Sequence, residues 1–162
     1  MLLNPEFGQN LTEVDRASLI LAHQRPKPRL DVLPVVWEIL DSAGEFSLAG
    51  MDSSDGLADA IIQICRASGV GAKVDRPKIP IPHIFREIVS TEKALDWALY
   101  GGEDFELVLF LPIATAELLV EQIGNGAAIV GTATDSTDIW LTDSSGIYPD
   151  SRLKLDRGFQ HF

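Results

Sequence analysis

Apolar residues recur along this chain with two different periods, and the changes between them mark out an alternation of helices and strands. Val14, Ala17, Leu19, Ile20 and Leu21 make one helical face behind Thr12, a residue suited to cap a helix start, and Glu13 and Asp15 fall in the first turn. That helix should end near His23. Val32, Val35, Val36, Trp37, Ile39 and Leu40 predict a second helix, opened by Asp31, tolerating Pro34 in its first turn and closed by Gly44. The run 46–51 reads as a buried strand, and Leu57, Ile61, Ile62 and Ile64 return to helical spacing until Gly69. A strand is expected over 70–74, followed by an extended stretch over 76–82, where Pro77, Pro80 and Pro82 forbid a helix. Ile84, Phe85, Ile88 and Val89 predict a short helix opened by Pro82, and Ala94, Leu95, Trp97, Ala98 and Leu99 another that runs into Gly101 and Gly102. Further on come a strand over 105–111 ended by Pro112, a helix carrying Leu118, Leu119, Val120 and Ile123 up to Gly124, and a strand over 127–130. Strands over 139–142 and 146–148 flank a hairpin turn at 143–146. The alternation predicts an α+β fold, a mixed β-sheet of about five or six strands covered by helices around one continuous core.

Composition narrows the picture. At 162 residues the chain has room for one domain with a sizeable core. Residues 1–10 lack periodicity and read as an N-terminal arm or interdomain remnant, leaving 11–162 as a single domain. With 13 Lys+Arg against 24 Asp+Glu the net charge is −11, which argues against a nucleic-acid partner. No apolar run approaches the ~18 residues of a membrane span, and no basic region precedes an apolar one at the N-terminus, so the chain reads as cytosolic with no membrane partner. The single cysteine, Cys65, sits among isoleucines and reads as a small buried apolar residue. The connector Arg25-Pro26-Lys27-Pro28-Arg29 is stiff and points three cations outward, either as a solvated linker or as help for an anionic ligand. Gly124, Gly126 and Gly131 do not form a dinucleotide loop, because a helix precedes them and a strand follows. GxxxxGK, GxSxG and Cys/His metal patterns are all missing.

Two stretches carry chemistry. Asp52-Ser53-Ser54-Asp55-Gly56-Leu57 sets two carboxylates and two hydroxyls on a turn between a strand and a helix, with Ser54 at the expected N-cap. A helix start suits anions, but Asp52 and Asp55 would repel a bare phosphate, so phosphate binding here requires divalent cations between the two. Magnesium, which takes one or two carboxylates plus phosphate oxygens, fits best. The competing reading is an ordinary capped helix with an acidic first turn in Asp55 and Asp59. An EF-hand is a poorer match, since Gln63 stands where the closing Glu should be. The second stretch, Gly101-Gly102-Glu103-Asp104-Phe105-Glu106-Leu107, crowds three carboxylates beside a glycine pair that permits unusual torsions. A helix C-cap explains the glycines, whereas the carboxylates call for a cationic group or a hydrogen-bond donor opposite them.

These stretches, with the ending Gly158-Phe159-Gln160-His161-Phe162, resemble thiamine-monophosphate kinase. MDSSDGLAD is similar to that family's DISDGL turn, GGEDFEL to its GGEDYEL signature, and the ending to its glycine-aromatic-x-His-Phe tail. The resemblance covers nearly the whole chain but only the family's C-terminal domain, so the ATP-binding N-terminal domain would be a missing partner. It implies the C-terminal domain fold of the aminoimidazole-ribotide synthetase superfamily, in which ATP phosphates lie between two domains. It further implies phosphorylation of thiamine monophosphate to thiamine diphosphate by direct in-line transfer from ATP, assisted by several Mg2+ ions, in a homodimer when full length. Carried over by position, Asp52 and Asp55 would bind magnesium, Ser54 would contact ATP, Glu103 would face the substrate and Phe159 would pack on it. No side chain is assigned as an acid, base or nucleophile. The sequence departs from the pattern at Ser53, where the family commonly has Ile. A sibling of the same superfamily, making a purine intermediate or a selenium or hydrogenase-maturation phosphoanhydride, would share the aspartate turn. A non-catalytic ligand-binding or dimerisation module would share the fold.

Overall fold

The computed structural model describes residues 8–44, 47–124 and 126–155. Helix α1 (Glu13–Gln24) is capped by Thr12, whose hydroxyl accepts from the Asp15 amide. Helix α2 (Leu33–Ala43) follows a single 3-10 turn over Leu30–Val32 and ends at Gly44 in the left-handed region. Strand β1 (Ala49–Asp52) leads through a tight turn into α3 (Leu57–Ser68), which Gly69 closes with a left-handed C-cap. Strand β2 (Gly71–Asp75), α4 (Thr91–Tyr100), β3 (Leu107–Phe110), α5 (Ile113–Ile123), β4 (Gly131–Thr134), β5 (Ile139–Thr142) and β6 (Ser151–Arg152) complete the order.

The fold is mixed α and β, as the patterning implies, but the described strands form two sheets rather than one. β1 and β3 pair antiparallel, with Asp52 opposite Leu107, and β4, β2, β5 and β6 form a four-stranded sheet in that order. In the larger sheet β2 runs antiparallel to β4 and parallel to β5, so it is the mixed one.

The core is likewise divided. Ala58, Ile61, Ile62 and Cys65 of α3 pack with Ala72, Val74, Leu99, Leu141 and Leu153, whereas Val32, Val36, Ile39 and Leu40 pack with Leu119 between α2 and α5. Strand β3 is the partition: Val108 and Phe110 face the α3 cluster, and Leu107 and Leu109 face the other, as the period of two requires.

Four local expectations are corrected. The strand anticipated over 46–51 is Ala49–Asp52, half-buried in alternation rather than fully buried, and Phe46 lies outside the described residues. The 127–130 strand is Gly131–Thr134. The hairpin partner expected over 146–148 is absent, because the Asp143 carboxylate accepts from the Ile147 and Tyr148 amides that a strand would have offered to a neighbour. Strand β5 pairs instead with β6, through Trp140 opposite Arg152. Residues 83–87 form a 3-10 helix rather than an α-helix. Cys65 is fully buried and the apolar surroundings push its thiol pKa up, in keeping with a packing role.

Candidate active site

The register of β1 against β3 brings the turn after Asp52 and the loop before Leu107 to the same end of the two-stranded sheet. Four hydrogen bonds then lace turn and loop together. The Ser53 amide donates to the Glu106 carbonyl (2.9 Å) and the Glu103 amide to the Ser54 carbonyl (2.6 Å). The Ser53 hydroxyl donates to the Asp104 carbonyl at 2.6 Å, with a longer contact of 3.4 Å to the Glu106 carbonyl. Ser53 is 3% exposed, so these bonds are made away from water, where a missing partner costs most. The departure from the family pattern therefore has a structural content: a buried hydroxyl joins two loops where an apolar side chain would only fill space.

Ser54 is not the N-cap. Helix α3 starts after Gly56, and no side chain caps it. The Ser54 amide and hydroxyl instead donate to Asp52 Oδ1, at 3.3 and 2.7 Å, which turns the first aspartate back over its own loop. Gly56 has φ of +104°, and a Cβ built on it would lie 2.8 Å from the Leu99 carbonyl oxygen and 3.3 Å from that of Gly101. The turn thus sits hard against the end of α4, and only glycine fits there.

The glycine pair plays a different part from the one expected. Neither Gly101 nor Gly102 has a positive φ; Glu103 does, at 63°. Gly101 is required because a Cβ would come within 2.5 Å of the Trp97 carbonyl oxygen. Glu103 is held in this sparsely populated region, at a cost of about 1–3 kcal/mol, by its amide bond to Ser54, and its side chain remains exposed.

The three crowded carboxylates have three fates. Glu106 accepts from Arg29 Nη1 at 2.9 Å, and the same guanidinium holds Asp31 through Nε at 3.0 Å. Asp31 and then Glu106 raise the Arg29 pKa, and Arg29 in turn lowers that of Asp31. Partial desolvation pushes the Asp104 carboxyl above its ordinary value, and the charge on Glu106 adds to this. Glu103, Asp104 and Glu106 are all exposed, and Glu103 differs from the other two in its left-handed backbone.

Asp52, Ser54, Asp55 and Glu103 are therefore brought together, and Phe159 lies outside the described residues. Ser53 and Gly56 belong to the turn named from the sequence, but the contacts they make are not readable from it, and Arg29, expected to point outward from a basic connector, instead pairs with Asp31 and Glu106. The signals for Arg29 are the basic connector it ends and the demand of three carboxylates for a cation. Asp52 and Asp55 offer the hard oxygen donors that magnesium prefers, but no group of three or more His, Cys, Asp or Glu able to hold a metal occurs among the described residues.

No family model matches the chain. It is 46% identical to the thiamine-monophosphate kinase of Synechococcus elongatus over 154 residues, 94% of this chain and 44% of that protein. Among solved structures, the thiamine-monophosphate kinase of Stenotrophomonas maltophilia superposes with a TM-score of 0.64 at 30% identity, covering 82% of this chain and 40% of that one. A ThiL structure complexed with AMPPCP and TMP shares the fold, with a TM-score of 0.56 at 21% identity over 88% of this chain and 42% of that one. The chain spans less than half the length of the curated relatives it matches. It is a homologue of the thiamine-monophosphate kinases, matched by them along nearly all of its own length.

Proposed function

We propose that this chain forms one half of a site that transfers a phosphoryl group from ATP to thiamine monophosphate, making thiamine diphosphate. The observation that carries the reading is the lacing of the Asp52–Asp55 turn to the loop that presents Glu103. Phosphoryl transfer is catalysed mainly by positioning and by neutralising charge, so two loops held in fixed relation suit it. Asp52 and Asp55 would hold Mg2+, which when bound supplies the positive charge that offsets the phosphates. Ser54, whose hydroxyl donates to Asp52 Oδ1 in the free chain, would turn from that carboxylate to donate to an ATP phosphate oxygen. Glu103, exposed beside them, is the carboxylate available to the cationic thiazolium of the substrate. Phe159 packing on thiamine completes the set.

Two carboxylates cannot surround several ions that each want about six oxygens. The remaining ligands are assigned to the part of the longer relatives that this chain does not span, an N-terminal ATP-binding domain. In this reading residues 11–162 are the C-terminal domain, residues 1–10 belong to the connection, and the complete protein is a cytoplasmic homodimer. The test is to assay the complete protein, ATP and magnesium included, with thiamine monophosphate and with acceptors typical of the sibling enzymes. Thiamine diphosphate is the expected product. Turnover of a purine-precursor, selenium or carbamoyl acceptor in its place would transfer the chain to a sibling activity, and no turnover with any would leave a binding module.

A further inference from the structure

We propose that Ser53 is a positioning residue whose hydroxyl locks the phosphate-side turn to the substrate-side loop. The turn 52–55 and the loop 101–106 come from segments about fifty residues apart, and each carries a different set of the proposed contacts: Asp52, Ser54 and Asp55 on one, Glu103 on the other. Of the four bonds between them, three are made by Ser53, two through its hydroxyl. It is also the only side chain that joins the two segments through these four bonds, and it is buried at 3% exposure. The backbone bonds hold the strands in register; the hydroxyl reaches past them to the carbonyl of Asp104, next to the strained Glu103. Removing it leaves that carbonyl without its donor and frees the loop to relax out of the left-handed geometry at Glu103.

The consequence is specific because the two half-sites would stay intact while their separation changed. Donor and acceptor would still bind, but out of line, and small misplacements of reacting groups cost far more in rate than in affinity. This rests on the kinase reading, and the experiment has one arm that does not.

In the first arm, Ser53→Ala, Ser53→Thr and Ser53→Cys are introduced into the complete protein and steady-state kinetics are measured for ATP and for thiamine monophosphate. The alanine chain should lose at least about 10-fold in kcat while each KM stays within about 3-fold, and threonine, which keeps the hydroxyl, should recover most of the loss. Cysteine, similar in size with a weak donor, repeats the comparison should the alanine chain fail to fold. In the second arm, amide hydrogen exchange is followed in the 162-residue chain, where Ser53→Ala should speed exchange at Glu103 by about 10-fold and leave the middle of α3 unchanged. An unchanged kcat, a rise in one KM alone, or exchange that quickens equally in α3 would overturn the proposal, the last by showing general loosening. If the wild-type protein transfers no phosphate to thiamine monophosphate, the kinase reading fails, and the exchange arm still decides whether the lock exists.

Discussion

The chain contains two almost identical turns, Asp52-Ser53-Ser54-Asp55-Gly56 and Asp143-Ser144-Ser145-Gly146, and they do different work. Locally they are alike. In each, the aspartate Oδ1 accepts from the amide and hydroxyl of the serine two residues on, Ser54 in one and Ser145 in the other. The difference lies in the rest of the carboxylate. Asp143 Oδ2 is taken up by the amides of Ile147 and Tyr148, and these bonds, with Ser145 foremost, hold the Asp143 carboxyl below its usual range. Among the described residues only Ser54 donates to Asp52, so its second oxygen is available to a ligand. One turn uses its charge to fold itself, and the other leaves charge to spare beside a second acidic loop. Local turn chemistry is thus silent about function until tertiary structure shows what stands opposite.

The comparison is broken most severely by exchanging each carboxylate for its amide. Asp52→Asn in the complete protein should lower kcat on the order of 100-fold, as removal of a charge that organises a transferring phosphoryl group does, with little change in melting temperature. Asp143→Asn should do the opposite, lowering the melting temperature measurably and leaving turnover near normal. Paired thermal melts and turnover assays check both.

The glycines give the next largest effect. Gly56→Ala adds a Cβ 2.8 Å from the Leu99 carbonyl oxygen at a φ of +104°, and should destabilise by about 2–4 kcal/mol. Gly146 has a φ of +71° but nothing within 4 Å of a built Cβ, so Gly146→Ala should cost only the left-handed penalty, about 1–2 kcal/mol. Denaturant melts of the two variants measure the difference.

The smallest effect concerns Asp104. Its folded pKa is raised, so the folded chain binds that proton more tightly than the unfolded chain, and stability falls as pH rises from below the ordinary carboxylate range through the raised value. Asp104→Asn removes the titration. The variant should melt slightly higher than the parent at neutral pH, and the gap should close in acid, where both side chains are uncharged.

Much of the frame was legible because its signals are local. Thr12, Gly44 and Gly69 cap the helices they were expected to cap, since a cap is decided within one turn of chain. Ser54 misled because the same hydroxyl can serve the helix ahead or the aspartate behind, and the distances show that Asp52 won. The division into two sheets was hidden for another reason: β3 alternates apolar residues on both faces, so its pattern fits one thick core as well as a partition between two. Within the site, Asp52, Ser54, Asp55 and Glu103 could be named from motifs, and the structure brings them together. Arg29 and the hydroxyl of Ser53 could not be placed, because their partners lie 77 and 51 residues away in sequence.

These residues are proposed to supply half of a two-part phosphoryl-transfer site. This is tested most directly by titrating the 162-residue chain with magnesium and ATP in a calorimeter and assaying thiamine diphosphate formation in the same samples. A folded chain, weak magnesium-dependent heats and no turnover are expected, with activity present only when the chain is part of the complete protein. Tight binding with turnover comparable to the complete protein would contradict the proposal, and would make these residues a whole enzyme.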